Sequence, residues 1–504
     1  MSYPKKMLHL APVRGLVYDT PPHEVPLDAW TFADNARSDN GFLGSHPPQR
    51  AAYAELPADP LHLQTVTAGG SNYWIAHYAS ESHAATGANV FDITLSGGLT
   101  TATAKDWTST VLNGVAVANN SVDPPMYWDG NPGNAMLELP NWPDANLCKT
   151  ILAYKFHLFA LDIEDASGEF PMKVMWSDAA EPGAVPGEWT ASASNQAGDA
   201  QLSDTPGPVL CGAPIRGSLI LYKPSSCYVV DFVEGSDFIF SFRLLSPVRG
   251  ALTRKAVTPI GTGQHFCVGD GSVYLWDGAQ AQDIGEGRIN LFDELDQDNY
   301  ELLHVVHYAA YSEVHINFPE SGSSACTRAY VYDYLHDSWS ARTLDAVQHA
   351  AVGIVNDDTE SNLWADADYT WADAQGKWGR SQFSLATQSL LLAGENIIQV
   401  GTGTNEKTTV LERAGLHFNS PERFKFVRRV HVRATGSGTL QVQAGAQPTS
   451  GAAITYGDPQ PFVIGVGQYV NVLAMGRLIA VRIEGAGDFL ITGVDIEAEL
   501  RGYV

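Results

Sequence analysis

Basic residues are scarce in this sequence: 30 Lys and Arg stand against 56 Asp and Glu in 504 residues, a formal charge of −26. A surface of that sign repels phosphate, so tight nucleic-acid binding is a poor reading, while nucleic acid sliding past without sticking stays compatible. Charge of either sign is thin, at 17% of residues, and 44% are hydrophobic. The chain therefore has material for a real core and is not disordered by composition. The five cysteines, Cys148, Cys211, Cys227, Cys267 and Cys326, are odd in number and widely spaced, with no C-x-x-C pair. That argues against a disulfide framework or zinc site and for small buried hydrophobes in a reducing compartment. No run of about 18 apolar residues occurs, so no membrane-spanning segment is expected. The apolar run of MSYPKKMLHLAPVRG is broken by His9 and too short for a signal peptide. The expectation is a protein made and folded in the cytosol.

Motifs of catalysis are missing as well. There is no G-x-S-x-G, H-E-x-x-H or G-x-x-x-x-G-K-[ST], and the G-T-G triplets at Gly261 and Gly401 lack the third glycine and following helix of a dinucleotide site. His304, His307 and His315 lie close in sequence, but on strands such a trio reads as mixed core and surface histidines rather than as metal ligands. The stretch WADAQGKW at Trp371 has the Asp and Trp of a sialidase-type box with its glycine one place late. No catalytic, cofactor-binding or metal-binding residue is assigned, no cofactor is expected, and the chain is read as a non-enzyme.

What the sequence has in quantity is turns. Gly 47 and Pro 28 punctuate short runs of β-branched, aromatic and aliphatic residues, and helical periodicity is absent. Between Asn119 and Trp189 the chain reads NNSVDPPMYWDG, ELPNWPD, ILAYKFHLFALD and FPMKVMWSDAAEPGAVPGEW, each run ended by a tight-turn signal. Ile151 to Asp162, with Tyr154, Phe156, Leu158 and Phe159 broken only by Lys155 and His157, reads as one strand covered on both faces. Trp128, Trp142, Trp176 and Trp189 recur beside turns, where large rings close gaps between small stacked sheets.

Such clusters recur every 35 to 50 residues or so, the period of four-stranded propeller blades. FCVGDGSVYLWDG and RAYVYDYLHDSWSART both put an alternating strand ahead of an Asp-containing turn and a tryptophan, in the manner of kelch-type blade ends. The fold expected is all-β: a β-propeller of six to eight small antiparallel blades over residues 61–414, with an extended N-terminal arm and a C-terminal β-sandwich. The arm, 1–60, is anchored by Leu16, Val17, Leu27, Trp30 and Phe32 and packs on something else. Residues 353–380, rich in Asp and Trp (Trp364, Trp371, Trp378), read as a solvated loop insertion in which Asp366, Asp368 and Asp373 do not form a calcium ladder. After Gly415 clean alternation returns. Val430 and Val432 fall on one face and Arg429, His431 and Arg433 on the other, the pattern of a half-exposed sheet in a sandwich over 415–504.

The order of these signals resembles the tail nozzle family of short-tailed bacteriophages, also called tail tubular protein B. VRGLVYDTPPHEVPLDAWTFADNARSDNGF is similar to the family's opening arm. NNSVDPPMYWDG, ELPNWP and KVMWSDAAEPGAVPGEW resemble its Pro-containing turn, Leu-Pro-x-Trp-Pro element and Trp-Ser-Asp turn. YSEVHINFPESGSSACTRAYVYDYLHDSWSART is similar to its late blade, and LERAGLHF with GRLIAVRIEGAGDFLITGVDIEAELRG to its closing sheet. The resemblance implies a structural virion protein, a homohexameric ring beneath a tail adaptor ring protein and beside fibre or spike proteins. Double-stranded DNA passes such a ring transiently and without sequence specificity during ejection, and the ring is assembled in the host bacterial cytoplasm. A carbohydrate- or receptor-binding or glycoside-active propeller, its funnel gathering acids from separate blades, and a cytosolic protein-interaction scaffold are the alternatives.

Overall fold

The computed structural model describes residues 5–52, 56–87, 89–233, 239–355, 388–401, 403 and 406–503. Among them, seven four-stranded antiparallel sheets follow one another as blades of a propeller. Blade 1 opens with His62–Ala68, blade 2 with Thr108–Leu112, blade 3 with Leu147–Tyr154 and blade 4 with Cys211–Ile215. Blades 5, 6 and 7 open with Val257–Ile260, His304–Tyr308 and His349–Ile354. These opening strands neighbour one another around the ring, and that of blade 7 lies beside that of blade 1, so they line the axis.

Seven lies inside the range that the spacing of the clusters allowed. Ring closure is made by distant sequence: the outermost strand of blade 7 is Gln49–Ala51, paired antiparallel with Ile397–Val400. Residues 356–380 of the expected loop insertion, with its three tryptophans and three aspartates, lie outside the described residues. Gly353 and Ile354 belong to the inner strand of blade 7.

One expectation is corrected in blade 3. The run Ile151 to Asp162 is not a single strand but a hairpin, in which Tyr154 pairs with His157. Lys155 takes a left-handed φ of 54° at the turn, and Phe156 is exposed there. No Gly, Asn or Asp marks that turn, so the register of the flanking strands imposes a conformation that the local sequence does not advertise. The four tryptophans behave as expected. Trp128, Trp142, Trp176 and Trp189 are all buried, and Trp142 meets Trp189 edge-on at 4.6 Å. All five cysteines are buried and free.

The second body is a sandwich of two six-stranded sheets. It holds the C-terminal strands and, woven among them, strands from the N-terminal segment. Lys5–Leu10 and Phe42–Ser45 pair with Phe489–Tyr503, and Phe32–Asp34 pairs with Thr409–Leu416. The first fifty residues therefore complete both bodies, with only the small cluster of Val17, Val25 and Ala29 as a core of their own. Of the expected anchors, Leu16, Val17 and Trp30 are buried, whereas Leu27 is exposed. The alternation read from the sequence holds, with Val430 and Val432 buried and Arg429 exposed on the opposite face.

Polar contacts fix this segment in place. Gly15, at φ 68°, brings its backbone so close to Trp339 that a Cβ would lie 2.3 Å from the Trp339 carbonyl oxygen, and no other residue fits. Arg37 donates to Glu313 at 2.8 Å, joining the sandwich to blade 6. The buried Arg413 guanidinium donates to the carbonyls of Pro22, Val25 and Ala414. Burial brings its pKa down to about 10. Arg413→Met leaves those carbonyls unanswered in a dry site, and a loss of about 3 kcal/mol is expected. A lower denaturant midpoint at unchanged slope, with faster proteolysis near residues 20–30, would register it.

Candidate functional site: the mouth of the propeller axis

The inner strands begin at one end of the axis, and several begin with a histidine. His62, His304 and His349 open the inner strands of blades 1, 6 and 7. The rings of His62 and His349 are 4.0 Å apart between centroids, and those of His304 and His349 are 5.1 Å apart. His77, on the second strand of blade 1, lies 5.7 Å from His62 and stacks on Trp107 at 4.5 Å.

The hydrogen bonds of His349 and His304 require neutral rings. The His349 Nδ1 accepts the Leu63 backbone N–H, and an acceptor nitrogen carries no proton. His304 faces the Leu302 carbonyl with Nδ1 and the Asn317 amide with Nε2, while His62 Nε2 meets Ser109 Oγ and His77 Nδ1 meets Ser82 Oγ. Burial lowers the pKa of all four, bringing His77 and His304 down to about 3. His62 and His349 also fall well below the usual value, again through burial first and then through neighbouring positive charge.

Part of that charge is Lys255. It precedes the inner strand of blade 5 and donates to the carbonyl of Ala104, in the connector to blade 2, at 2.8 Å. Those blades stand on opposite sides of the ring, so the bond runs across the axis and helps to close it. Burial, and then the adjacent Arg254, lowers Lys255 to about 7.

Outside this plug lies a cavity of about 570 Å³, lined by the connectors into blades 2, 4, 5 and 6 and by turns of blades 4 and 5. Arg254 and Lys255 stand on its wall with Lys105, Asp162, Asp270 and Glu301, beside apolar Leu252 and Phe292. Asp162 sits at a bulge with φ 56°, and burial raises its carboxyl pKa against the pull of Arg254.

The sequence-read trio His304, His307 and His315 does not assemble. His304 joins the axial cluster, His307 meets Tyr334, and His315 pairs with Glu313 at 3.1 Å. Among the described residues no group of three His, Cys, Asp or Glu side chains is placed to hold a metal ion. Arg254 and Lys255 were missed by motif reading. The signal available was an Arg-Lys pair just ahead of a strand in a chain poor in cations.

No family model matches the chain, and no curated protein matches it. Among solved structures, the β-propeller domain of Cps50 (Swd1) from Myceliophteria thermophila is similar at 9% identity and a TM-score of 0.40, covering 71% of this chain and all of that domain.

Proposed function

We propose that the chain is a structural subunit of the distal tail nozzle of a short-tailed bacteriophage, assembling as a ring of six that conducts DNA. The support from sequence is the ordered resemblance across nearly the whole chain. The observation that carries the reading in the fold is the contrast between the two bodies. Residues 409–504 hold nine Lys and Arg against eight Asp and Glu, so the whole excess of acid lies in the remainder. An almost neutral sandwich against an acidic propeller gives two unlike surfaces, the requirement for a head-to-tail interface that closes into a ring.

The sandwich surface also has an apolar stripe. Strand Val470–Gly476 pairs on one side with Arg423–Gly436 and exposes Leu473 (71%) and Met475 (56%). Arg429 lies over Tyr469 at 4.6 Å beside it. On this reading DNA runs between subunits rather than through the plugged propeller axis, and an acidic wall there lets the phosphate backbone slide. Described residues include no helix long and apolar enough to cross a membrane.

Light scattering and negative-stain micrographs, with and without tail components, test the reading. Rings with an open centre and a mass near six times the 54.3 kDa subunit are expected. The double variant Leu473→Asp, Met475→Asp is expected to stay folded and monomeric. A wild-type monomer that ignores tail components overturns the proposal.

A further inference from the structure

We propose that the cavity at the propeller mouth is a docking site for an acidic peptide segment, whose side-chain carboxylate sits between Arg254 and Lys255. This inference is independent of the nozzle reading, because it concerns a site within one subunit and requires no ring.

Three cations reach the cavity, and among the described residues only Lys105 forms an ion pair, while Asp162 and Asp106 act on Arg254 and Lys255 from beyond that distance. Lys105 is paired with Glu301 at 3.1 Å on the exposed rim. Arg254 and Lys255 are successive residues whose like charges oppose each other, and among the described residues neither has a carboxylate within ion-pair distance. Lys255 gives one N–H to Ala104 and keeps two, and the Arg254 guanidinium has no hydrogen-bond partner among the described residues. Two adjacent cations at the base of a partly dry cavity are stabilised by an anion placed between them, through charge-assisted hydrogen bonds from a planar fork and an ammonium.

The remaining wall selects the kind of anion. Asp162 and Asp270 stand on the same wall and repel a dianion such as phosphate more strongly than a monoanion. Leu210, Leu252, Phe292 and Leu295 supply an apolar side, against which a hydrophobic neighbour of the carboxylate packs. The volume is within the usual range of roughly 300–1,000 Å³ for a bound organic ligand. A glutamate or aspartate flanked by an apolar residue matches both halves, whereas a free carboxylate shares the charge chemistry and lacks the flank.

Lys255 provides its own reporter. The Lys255 side chain lines the cavity, so an anion seated against it shields the amine from acylation by acetic anhydride. Peptide mass mapping of the wild-type chain then reads occupancy without any variant.

The probes are the capped peptide acetyl-Ala-Leu-Glu-Phe-Ala-amide, its Gln counterpart, acetate and inorganic phosphate. Protection of Lys255 by the Glu peptide is expected, with at least tenfold weaker protection by the Gln peptide. Calorimetry with Arg254→Gln is expected to show at least a tenfold loss of Glu-peptide affinity, and Lys105→Gln to stay within twofold of wild type. Acetate protecting as well as the peptide at equal concentration would retain the carboxylate chemistry and overturn the peptide assignment. Stronger protection by phosphate, or none by any probe, would overturn the site. Near-UV circular dichroism checks that each variant is folded. If Arg254→Gln fails that check, the wild-type labelling comparison still decides.

Discussion

A chain starting at residue 56 should not yield a cooperatively folded protein. The deletion removes Gln49–Ala51, which closes the propeller on Ile397–Val400. It also removes Lys5–Leu10, Phe32–Asp34 and Phe42–Ser45, which pair with strands of both sandwich sheets. The edges left behind carry unpaired backbone donors and acceptors, which are both a stability loss and a template for aggregation. Trp339, fully buried, also loses the backbone of Gly15 and Leu16 packed on it. Expression in inclusion bodies, or a broad transition without a near-UV signal, is the expected outcome. Refolding with a separate peptide of residues 1–52 should restore part of the signal. A soluble truncated chain melting within about 5 °C of the full one, a difference of only about 1–2 kcal/mol, would show that these pairings contribute little.

The second large effect is with acid. In the unfolded chain a histidine binds a proton near pH 6.5, whereas in the fold His77 and His304 do so only near about 3. Between those values the unfolded state holds more protons, so stability falls as pH falls, by about 1.4 kcal/mol per pH unit for each such group. By pH 5 the pair has lost about 4 kcal/mol in total, a large part of the 5–15 kcal/mol that usually holds a domain together. His62 and His349 act in the same direction. Lys255, at about 7 in the fold, exerts its effect between there and the lysine value of an open chain. It therefore adds little below neutrality. Denaturant midpoints measured from pH 7.5 to 5 should fall steeply once below pH 6.5, and His304→Gln should flatten the slope by about one proton. A flat profile would mean that the axial rings take up protons without leaving their partners.

Much of the fold was readable in advance because it is written locally. The alternation around Val430 and Val432 needs only a period of two, and the blades carry their own turn signals. What was hidden depends on residues far apart in the chain. The three residues Gln49–Ala51 bear no mark of a propeller strand, and their role exists only once Ile397–Val400 is alongside. The turn at Lys155 contains none of the residues that favour positive φ, so the run around it read as one strand. The candidate site was illegible for a similar reason. His62, His77, His304 and His349 come from three blades, while His307, close to His304 in sequence, falls on the opposite face of the same strand. Arg254 and Lys255 gain meaning only because the connectors between blades bring them to one cavity wall without a carboxylate at ion-pair distance among the described residues.

The weaving of the first fifty residues into both bodies also sets a timetable for synthesis. That segment emerges from the ribosome early, yet the distant strands that pair with Lys5–Leu10, Phe32–Asp34, Phe42–Ser45 and Gln49–Ala51 lie between Ile397 and Tyr503. At about 5–20 residues per second those strands wait on the order of tens of seconds for these partners. Blades 1 to 6 are local hairpins and can form while translation continues. Blade 7 waits for Ile397–Val400, and the sandwich for the last strand, Phe489–Tyr503. The nascent chain therefore stays an open arc of blades until Ile397–Val400 has emerged, and a chaperone acting on it has the longest opportunity at the N-terminal strands of the sandwich.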